Sequence, residues 1–113
     1  MSEIEKEKIE VNGATVDFYK YIKDGIEYYE FDTSRCGPPE PMVNAMAGLK
    51  LIDSPNKKLV MINHQKPMGL LDKIGQNYDI DIEKLEDGRV KLIFSYKEGE
   101  SEKANLNDAT CHG

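Results

Sequence analysis

The apolar residues of this chain change their spacing along its length, and that change restricts the fold more than any other feature. From Lys8 to Asp32 they alternate with polar residues, the period of two that a strand with one buried face requires. From Pro39 they recur at intervals of three and four residues, which is the spacing of a helix. The period of two returns near the end. The sequence therefore predicts strands, then alternating helices and strands, and finally a pair of strands.

The first third of the chain predicts a three-stranded meander. Asn12-Gly13 follows "KIEV" and indicates a hairpin turn, because glycine tolerates the positive φ that a tight turn needs. The next segment, "ATVDFYKYI", alternates so that Phe18 and Ile22 lie on the side that faces the core. A second turn at Asp24-Gly25 leads into "IEYYEFD", which supplies the third strand.

A helix of about three turns is predicted from Pro39 onward. Proline is tolerated in a first helical turn, where its missing N–H would have no intrahelical partner. Gly48 either weakens this helix or begins its end. The apolar stripe of the helix consists of Met42, Val43, Met46 and Leu49.

A buried strand, a second helix and a hairpin are predicted after the first helix. The run "KLVMIN", Lys58 to Asn63, is nearly continuous and apolar, as in a strand buried on both faces. The second helix has Pro67 in its first turn and stops at Gly75. Its apolar face consists of Met68, Leu71 and Ile74, with Leu70 beside it. The hairpin flanks Asp87-Gly88, and its apolar positions are Ile80, Ile82, Leu85, Val90, Leu92 and Phe94.

From Glu27 the predicted order of elements is β-α-β-α-β-β. Such an order favours an α/β, two-layer sandwich in which two helices pack on one face of a mixed sheet. Residues 1–26 are expected to form an N-terminal β-hairpin extension of that sheet, and residues 27–97 the sandwich itself. Residues 98–113 are polar and lack periodicity, so a flexible tail is expected there.

Composition restricts the possible partners. The net charge is −6, with 21 acidic and 15 basic residues, which argues against nucleic acid. No apolar run approaches the roughly 20 residues that span a bilayer, and "MSEIEKEKIE" lacks the apolar core of a signal peptide. We therefore expect a cytoplasmic protein without a membrane partner. Cys36 and Cys111 are too few for a disulfide framework and are expected to be thiols.

The stretch "SRCGPPEPM" places Cys36 just before the first predicted helix. The N–H groups and the macrodipole at a helix start favour an anion, so a thiol placed there has a lowered pKa. The neighbouring Arg35 adds positive charge to that effect. Because Cys36 lies two or three residues outside the helix, a second interpretation stays open, that of a partly buried cysteine in a loop.

The stretch "NHQKPM" occupies the corresponding place before the second helix. Ligands in α/β folds are usually met at the carboxyl ends of strands. We therefore expect His64 and Lys66 to gather with Arg35 and Glu40 around an anionic group. The alternative is a histidine that only caps the helix or forms hydrogen bonds.

No metal site and no cofactor are expected. Most of the methionines lie at core periodicities, where methionine fills gaps. Adjacent Cys111 and His112 supply too few ligands for a structural zinc. A phosphate loop, a serine nucleophile elbow and an HExxH pattern are all missing, so the sequence assigns no enzymatic reaction.

Three segments resemble a known family: "FDTSRCGPPEPMVNAMAGLKLI", "KLVMINHQKPMGLLDKI" and "GRVKLIF". They are similar to the domain of unknown function DUF2249, a relative of the TusA/SirA-like sulfur carriers. The similarity runs from Phe31 to Tyr96 and implies the same sandwich, with residues 27–97 as a TusA-like domain. The most recurrent residues of that family correspond here to Pro39, Glu40, Pro41, His64 and Pro67.

TusA-like carriers hold a persulfide on the cysteine of a Cys-Pro-x-Pro motif and pass it between partner proteins. Matching Pro39-Glu40-Pro41 to Pro-x-Pro places Pro38 at the carrier position and leaves Cys36 two residues upstream. The resemblance therefore implies either a carrier that uses Cys36 or a shared scaffold with another task.

Three hypotheses for function follow. The first is a small sulfur-transfer or thiol-linked protein that carries sulfur on Cys36 and exchanges it with proteins of a sulfur-relay or redox pathway. The second is a non-enzymatic binding module for a small anion or a partner protein at the two helix starts. The third, with less support, is an adaptor that docks through the edge of its sheet.

Overall fold

One six-stranded mixed sheet carries both helices on a single face in the computed structural model, which describes residues 5–104. This arrangement confirms the predicted two-layer α/β sandwich. The elements in chain order are β1 (Glu7–Ile9), β2 (Phe18–Lys23), β3 (Ile26–Asp32), α1 (Glu40–Leu49), β4 (Lys57–Asn63), α2 (Met68–Ile74), β5 (Tyr78–Lys84), β6 (Val90–Tyr96) and a 3-10 helix (Ser101–Lys103).

The strands lie in the order β1-β2-β3-β4-β6-β5. The neighbours β3 and β4 are parallel and are joined by α1, whereas the other four neighbouring pairs are antiparallel. The helix α2 connects β4 to β5 at the edge, and β6 lies between those two strands. The predicted meander and the hairpin around Asp87-Gly88 are both present.

The core lies between the helices and the sheet face that they cover. Phe18 stands opposite Phe31 in the register of β2 and β3, and their rings stack at 4.7 Å between centroids. Met61 stands opposite Leu92 in the same way between β4 and β6. From the helix side the fully or almost fully buried contributors are Ala45, Met46, Leu49, Leu70 and Ile74. Burial of this apolar area supplies the main driving force for folding.

The N-terminal extension is more than a hairpin on the edge of the sheet. The turn at Asn12-Gly13 is present, with a positive φ at Gly13 and a hydrogen bond from the N–H of Ala14 to the carbonyl oxygen of Val11. It does not join the two strands directly, because β1 ends at Ile9 and β2 begins at Phe18, which leaves residues 10–17 as a long connection. This connection packs on α1, where a Cβ on Gly13 would lie 3.8 Å from that of Ala47. The helix α1 is thus covered by the chain that precedes the sandwich.

Three residues that were predicted to lie in the core are exposed instead, because of where they lie in their strand or helix. Ile22 and Ile82 point to the covered side of the sheet but lie at strand ends that the helices do not reach, and they are 61% and 41% exposed. Met68 is 58% exposed because α2 turns Leu70 and Ile74, four residues apart, toward the sheet. Met68 is therefore a surface residue at the start of α2.

Residues 98–104, which the sequence analysis assigns to a flexible tail, instead fold against the sandwich. Ser101 is buried, and its hydroxyl donates to the carbonyl oxygen of Asn77 at 2.7 Å. The side-chain amide of Asn77 donates in turn to the carbonyl oxygen of Glu100 at 2.9 Å. The remainder of the predicted tail, including Cys111 and His112, lies outside the described residues.

Gly48 lies one residue before the end of α1, as expected, and it also allows α1 to approach the sheet closely. A Cβ at this position would lie 2.6 Å from Leu59 Cδ1 and 2.9 Å from Phe18 Cε2. Both neighbours are buried in the core, so neither can turn away into solvent. The glycine is required by packing.

We expect Gly48→Ala to lower the free energy of unfolding by about 1–2 kcal/mol, because the cost of overpacking exceeds the roughly 1 kcal/mol gained in helix propensity. Urea denaturation measures the change. Gly37→Ala is the matched control: a Cβ there meets no atom within 4 Å, and its effect should stay within about 0.5 kcal/mol of zero. An equal effect of the two substitutions would contradict this account of the packing.

Candidate functional site

The starts of the two helices lie at one end of the sheet. Because β3 and β4 are parallel, their carboxyl ends at Asp32 and Asn63 point the same way, and each leads through a short loop into a helix. The two stretches singled out in the sequence, 34–42 and 63–68, are therefore neighbours. This placement is the one in which α/β folds usually meet ligands.

A buried polar link holds the two loops together. The hydroxyl of Thr33, which is fully buried, donates to Oδ1 of Asn63 at 3.0 Å. The amide nitrogen of Asn63 donates to the carbonyl oxygen of Gln65 at 2.8 Å. The backbone N–H of Thr33 adds a bond of 2.8 Å to the carbonyl oxygen of Ile62. The side-chain amide of Asn63 thus fixes the loop that carries His64 and Lys66.

A cavity of about 250 Å³ lies between the two helix starts. Its walls are mostly apolar, and its polar side chains come from the loop between β4 and α2. The lining residues are Pro38, Pro39, Pro41, Met42, Asn63, His64, Gln65, Lys66, Pro67, Met68, Gly69 and Leu70. The four prolines of the sequence motif therefore converge on one space.

The two methionines of this cavity differ in exposure. Met42 is buried on α1, and Met68 is exposed on α2. The helices approach closely between them, since a Cβ on Gly69 would lie 3.4 Å from Met42 Cε. An exposed methionine can adapt its shape to an apolar group that enters beside it. Met68 thus forms the adjustable wall of the cavity.

The start of α1 has few N–H groups to offer an anion. Pro39 is its N-terminal cap, Pro38 precedes it and Pro41 lies within its first turn, and prolines carry no N–H. The N–H of Glu40 donates to the carbonyl oxygen of Gly37 at 3.1 Å. Of the positions from Pro39 to Met42, only Met42 has an N–H besides that of Glu40. The prolines therefore remove two of the four N–H donors at these positions, and the carbonyl oxygen of Gly37 takes the N–H of Glu40.

Cys36 lies in a turn before this helix, with its N–H donating to the carbonyl oxygen of Thr33 at 3.0 Å. Burial, the negative charge and hydrogen bond of Glu40, and the charge of Asp32 raise the pKa of its thiol above the ordinary value. The expected lowering of the pKa by Arg35 and the helix start is wrong, because burial and then the neighbouring carboxylates oppose the thiolate. Partial burial in a loop, the second interpretation of Cys36, agrees with this position.

Glu40 belongs to a different cluster, which sequence reasoning missed. Its carboxylate accepts a hydrogen bond from Thr15 Oγ1 at 3.0 Å. Asn44, fully buried one turn later on α1, accepts from the N–H of Thr15 at 2.7 Å and donates to Thr15 Oγ1 and to the carbonyl oxygen of Glu40. An asparagine among the apolar residues of a predicted helix could have indicated this cluster, because a buried side-chain amide needs hydrogen-bond partners.

The structure therefore separates the predicted anion site into two parts. His64 and Lys66 line the cavity, where their loop is exposed. Glu40 instead contacts the N-terminal connection through Thr15 and raises the pKa of Cys36. Arg35 is exposed in its turn and does not line the cavity.

Neither a metal cluster nor a membrane-spanning helix is found in the part of the chain that the structure describes. Residues 5–104 bring together no group of three or more His, Cys, Asp or Glu side chains that could hold a metal ion. Within the same residues no helix is long and apolar enough to cross a bilayer.

Comparisons of the chain with protein-family models, with curated proteins and with solved structures find no match. The resemblance to the TusA/SirA-like carriers therefore stays a prediction that rests on the sequence motifs.

We expect Glu40→Gln to lower the pKa of Cys36, because the substitution removes the negative charge that opposes the thiolate. The midpoint of the alkylation rate against pH should then move to lower pH, and alkylation at pH 7 should become about two- to tenfold faster. Iodoacetamide labelling, followed by intact mass spectrometry, measures the alkylation rate. The experiment uses the Cys111→Ser variant, so that Cys36 is the thiol whose labelling is measured. The control is Glu98→Gln, an exposed residue in the turn after β6; an unchanged midpoint in Glu40→Gln would contradict the assignment.

Proposed function

We propose that this protein is a non-enzymatic binding module whose cavity between the helix starts accepts an apolar group that carries a neighbouring negative charge. The observation that supports this most directly is the cavity itself. It has an apolar lining, its polar groups come from one loop, and it lies at the carboxyl ends of the parallel strands. Such a lining with a few polar groups is typical of ligand sites.

The size of the cavity favours a small occupant. Ligand pockets usually measure about 300–1,000 Å³, so a cavity of about 250 Å³ suits one large side chain better than a cofactor. An inorganic anion alone would lose its hydration against apolar walls without enough donors to replace it. A short segment of a partner protein, with one side chain inserted, fits both the volume and the lining.

The charge at the rim favours an acidic neighbour for that side chain. Lys66 lies in the exposed loop that closes the cavity, and a lysine on a flexible stem can reach a carboxylate without fixed geometry. His64 lies on the same loop and adds a hydrogen-bonding ring. The rigid link between Thr33 and Asn63 holds this loop in place before binding, which reduces the entropy lost on binding.

Binding of N-acetyl-phenylalanine tests the proposal, with the corresponding amide as the uncharged probe and inorganic phosphate as the charge without an apolar group. We expect amide chemical shifts to change at His64, Gln65, Lys66 and Gly69 with the acid, less with the amide, and not with phosphate. Lys66→Gln should weaken the acid several-fold and leave the amide unchanged, since an exposed charge contributes modestly. Lys50→Gln, at the far end of α1, is the control. Chemical shifts that do not change with any of the three probes would contradict the proposal.

Sulfur transfer on Cys36 is the second candidate. In its favour, Cys36 is partly exposed and lies at the carboxyl end of β3, beside the start of a helix. Against it stand the raised pKa of the thiol and the scarcity of N–H donors at the helix start. Its thiolate would attack the outer sulfur of a donor persulfide, form a new S–S bond and release the donor thiolate.

Incubation with a persulfide donor separates the two candidates. A carrier should gain the mass of one sulfur atom, and Cys36→Ser should lose that gain whereas Cys111→Ser keeps it. The raised pKa leads us to expect a low yield at pH 7 that increases as the pH rises. Intact mass spectrometry gives the yield, and no gain at any pH up to about 9, or an equal gain in Cys36→Ser, would remove the carrier hypothesis.

A further inference from the structure

The sheet face opposite the helices, here called the open face, has an apolar centre. Both helices and the 10–17 connection pack on the other face. Tyr21 and Tyr28 stack at 5.1 Å between ring centroids, and Val60 is 1% exposed although no described helix covers it. The register places seven aromatic or aliphatic residues on the open face, with Glu30, Lys58 and Lys91 among them: Tyr19, Tyr21, Ile26, Tyr28, Val60, Ile62 and Ile93.

One edge of the open face is acidic. The register of β5 with β6 places Asp79, Asp81 and Glu83 on this side, because each pairs with an outward residue of β6. All three are exposed. Among the described residues no ion pair reaches them. Glu83 stands opposite Lys91 of β6, whereas Asp79 and Asp81 stand opposite Ser95 and Ile93, so these two carboxylates lie along the β5 edge without a basic residue beside them in the register.

The opposite edge of the open face is basic. Lys8 pairs with Tyr19 in the register and so lies on this side, and Lys23 follows two residues after Tyr21. Lys6 also lies here, 5.2 Å above the ring of Tyr21. Lys6 contacts Glu30 at 3.1 Å and Lys8 contacts Asp17 at 3.4 Å, and at least one partner of each pair is well exposed. Exposed ion pairs contribute little, so these lysines can exchange partners.

We propose that the open face binds a second copy of this chain, in a twofold dimer that places the β5 edge of each sheet over the β1–β2 edge of the other. Two sheets stacked face to face are related by a twofold axis that lies between them. If the axis runs along the strands, the second sheet is turned over so that its two edges change sides. The acidic edge of each copy then lies over the basic edge of the other. An axis across the strands would place acid over acid. The charge pattern thus selects one of the two arrangements, as a self-complementary interface requires.

The dimensions of the face predict a weak dimer. Six strands of up to seven residues give a face of about 24 by 23 Å, at the small end for specific interfaces. Aligned sheets pack about 10 Å apart and cross at about 30°, so the apolar centre fills the interior and the charged edges remain at the rim. Rim charges are screened by salt, and the association should therefore weaken as ionic strength rises.

Sedimentation velocity of the full chain, from about 10 µM to about 1 mM at low salt, tests the dimer. We expect a concentration-dependent shift from monomer to dimer that 0.5 M NaCl reduces. Asp81→Lys and Lys8→Glu should each weaken the dimer at least about tenfold, because every substitution acts at both edges of a twofold interface. Asp72→Lys, an exposed residue of α2 with the same change in charge, should leave the dimer intact.

Mixing the two variants is the decisive step. In a heterodimer of the two variants, the lysine introduced at position 81 faces the glutamate introduced at position 8, and the unchanged Lys8 faces the unchanged Asp81. An equimolar mixture should therefore form a heterodimer that native mass spectrometry identifies. Circular dichroism verifies each fold, and Asp79→Lys replaces Asp81→Lys if that variant folds poorly. A monomer at every concentration, or a dimer that ignores both substitutions, would overturn the proposal.

Discussion

The parallel pairing of β3 with β4 is the constraint on which the rest of the structure depends. A parallel pair cannot be joined by a tight turn, so the connection must cross over the sheet, and α1 provides it. That crossover brings the loops after Asp32 and Asn63 to the same end. It also leaves the whole helix layer on one face, and the other face without a helix among the described residues. The cavity and the open face therefore have a common origin.

The order of the elements could be predicted from the sequence because it depends on local periods. A period of two marked the meander and the hairpin, a period of three to four marked the helices, and the prolines marked where each helix begins. These signals act within a few residues of the chain. The same holds for Gly75, which ends α2 as its C-terminal cap.

What could not be predicted depends on contacts between distant segments. Gly48 lies near the end of α1 as predicted, but its close contact with Leu59 and Phe18 depends on residues far away in the sequence. The buried role of Asn44 depends on its partner Thr15, which is 29 residues away. Ile22 has the spacing of a core residue, but it lies next to the last residue of β2 and is exposed. Long-range packing overrides local preference at each of these positions.

At the candidate site, too, the local features could be predicted from the sequence and the long-range contacts could not. The sequence placed the prolines, His64 and Lys66 at one end of the sheet, which depends only on strand direction. The pKa of the Cys36 thiol depends on its burial and on the charges around it, and Glu40, four residues away, raises that pKa where the neighbouring Arg35 was expected to lower it. The prolines have two opposing effects here. They preset the first turn of α1, and they remove the N–H groups that would hold a thiolate.

The proposed dimer leaves the cavity of each chain accessible. A twofold axis along the strands preserves the strand direction, so both cavities of the proposed dimer would open at the same end. The open face and the cavity do not share residues, and a partner could therefore occupy both cavities without disturbing the dimer. A partner with two apolar segments would gain from the second site through effective concentration, not through any new contact. Weak binding at a cavity of about 250 Å³ and weak association of two chains would then reinforce one another.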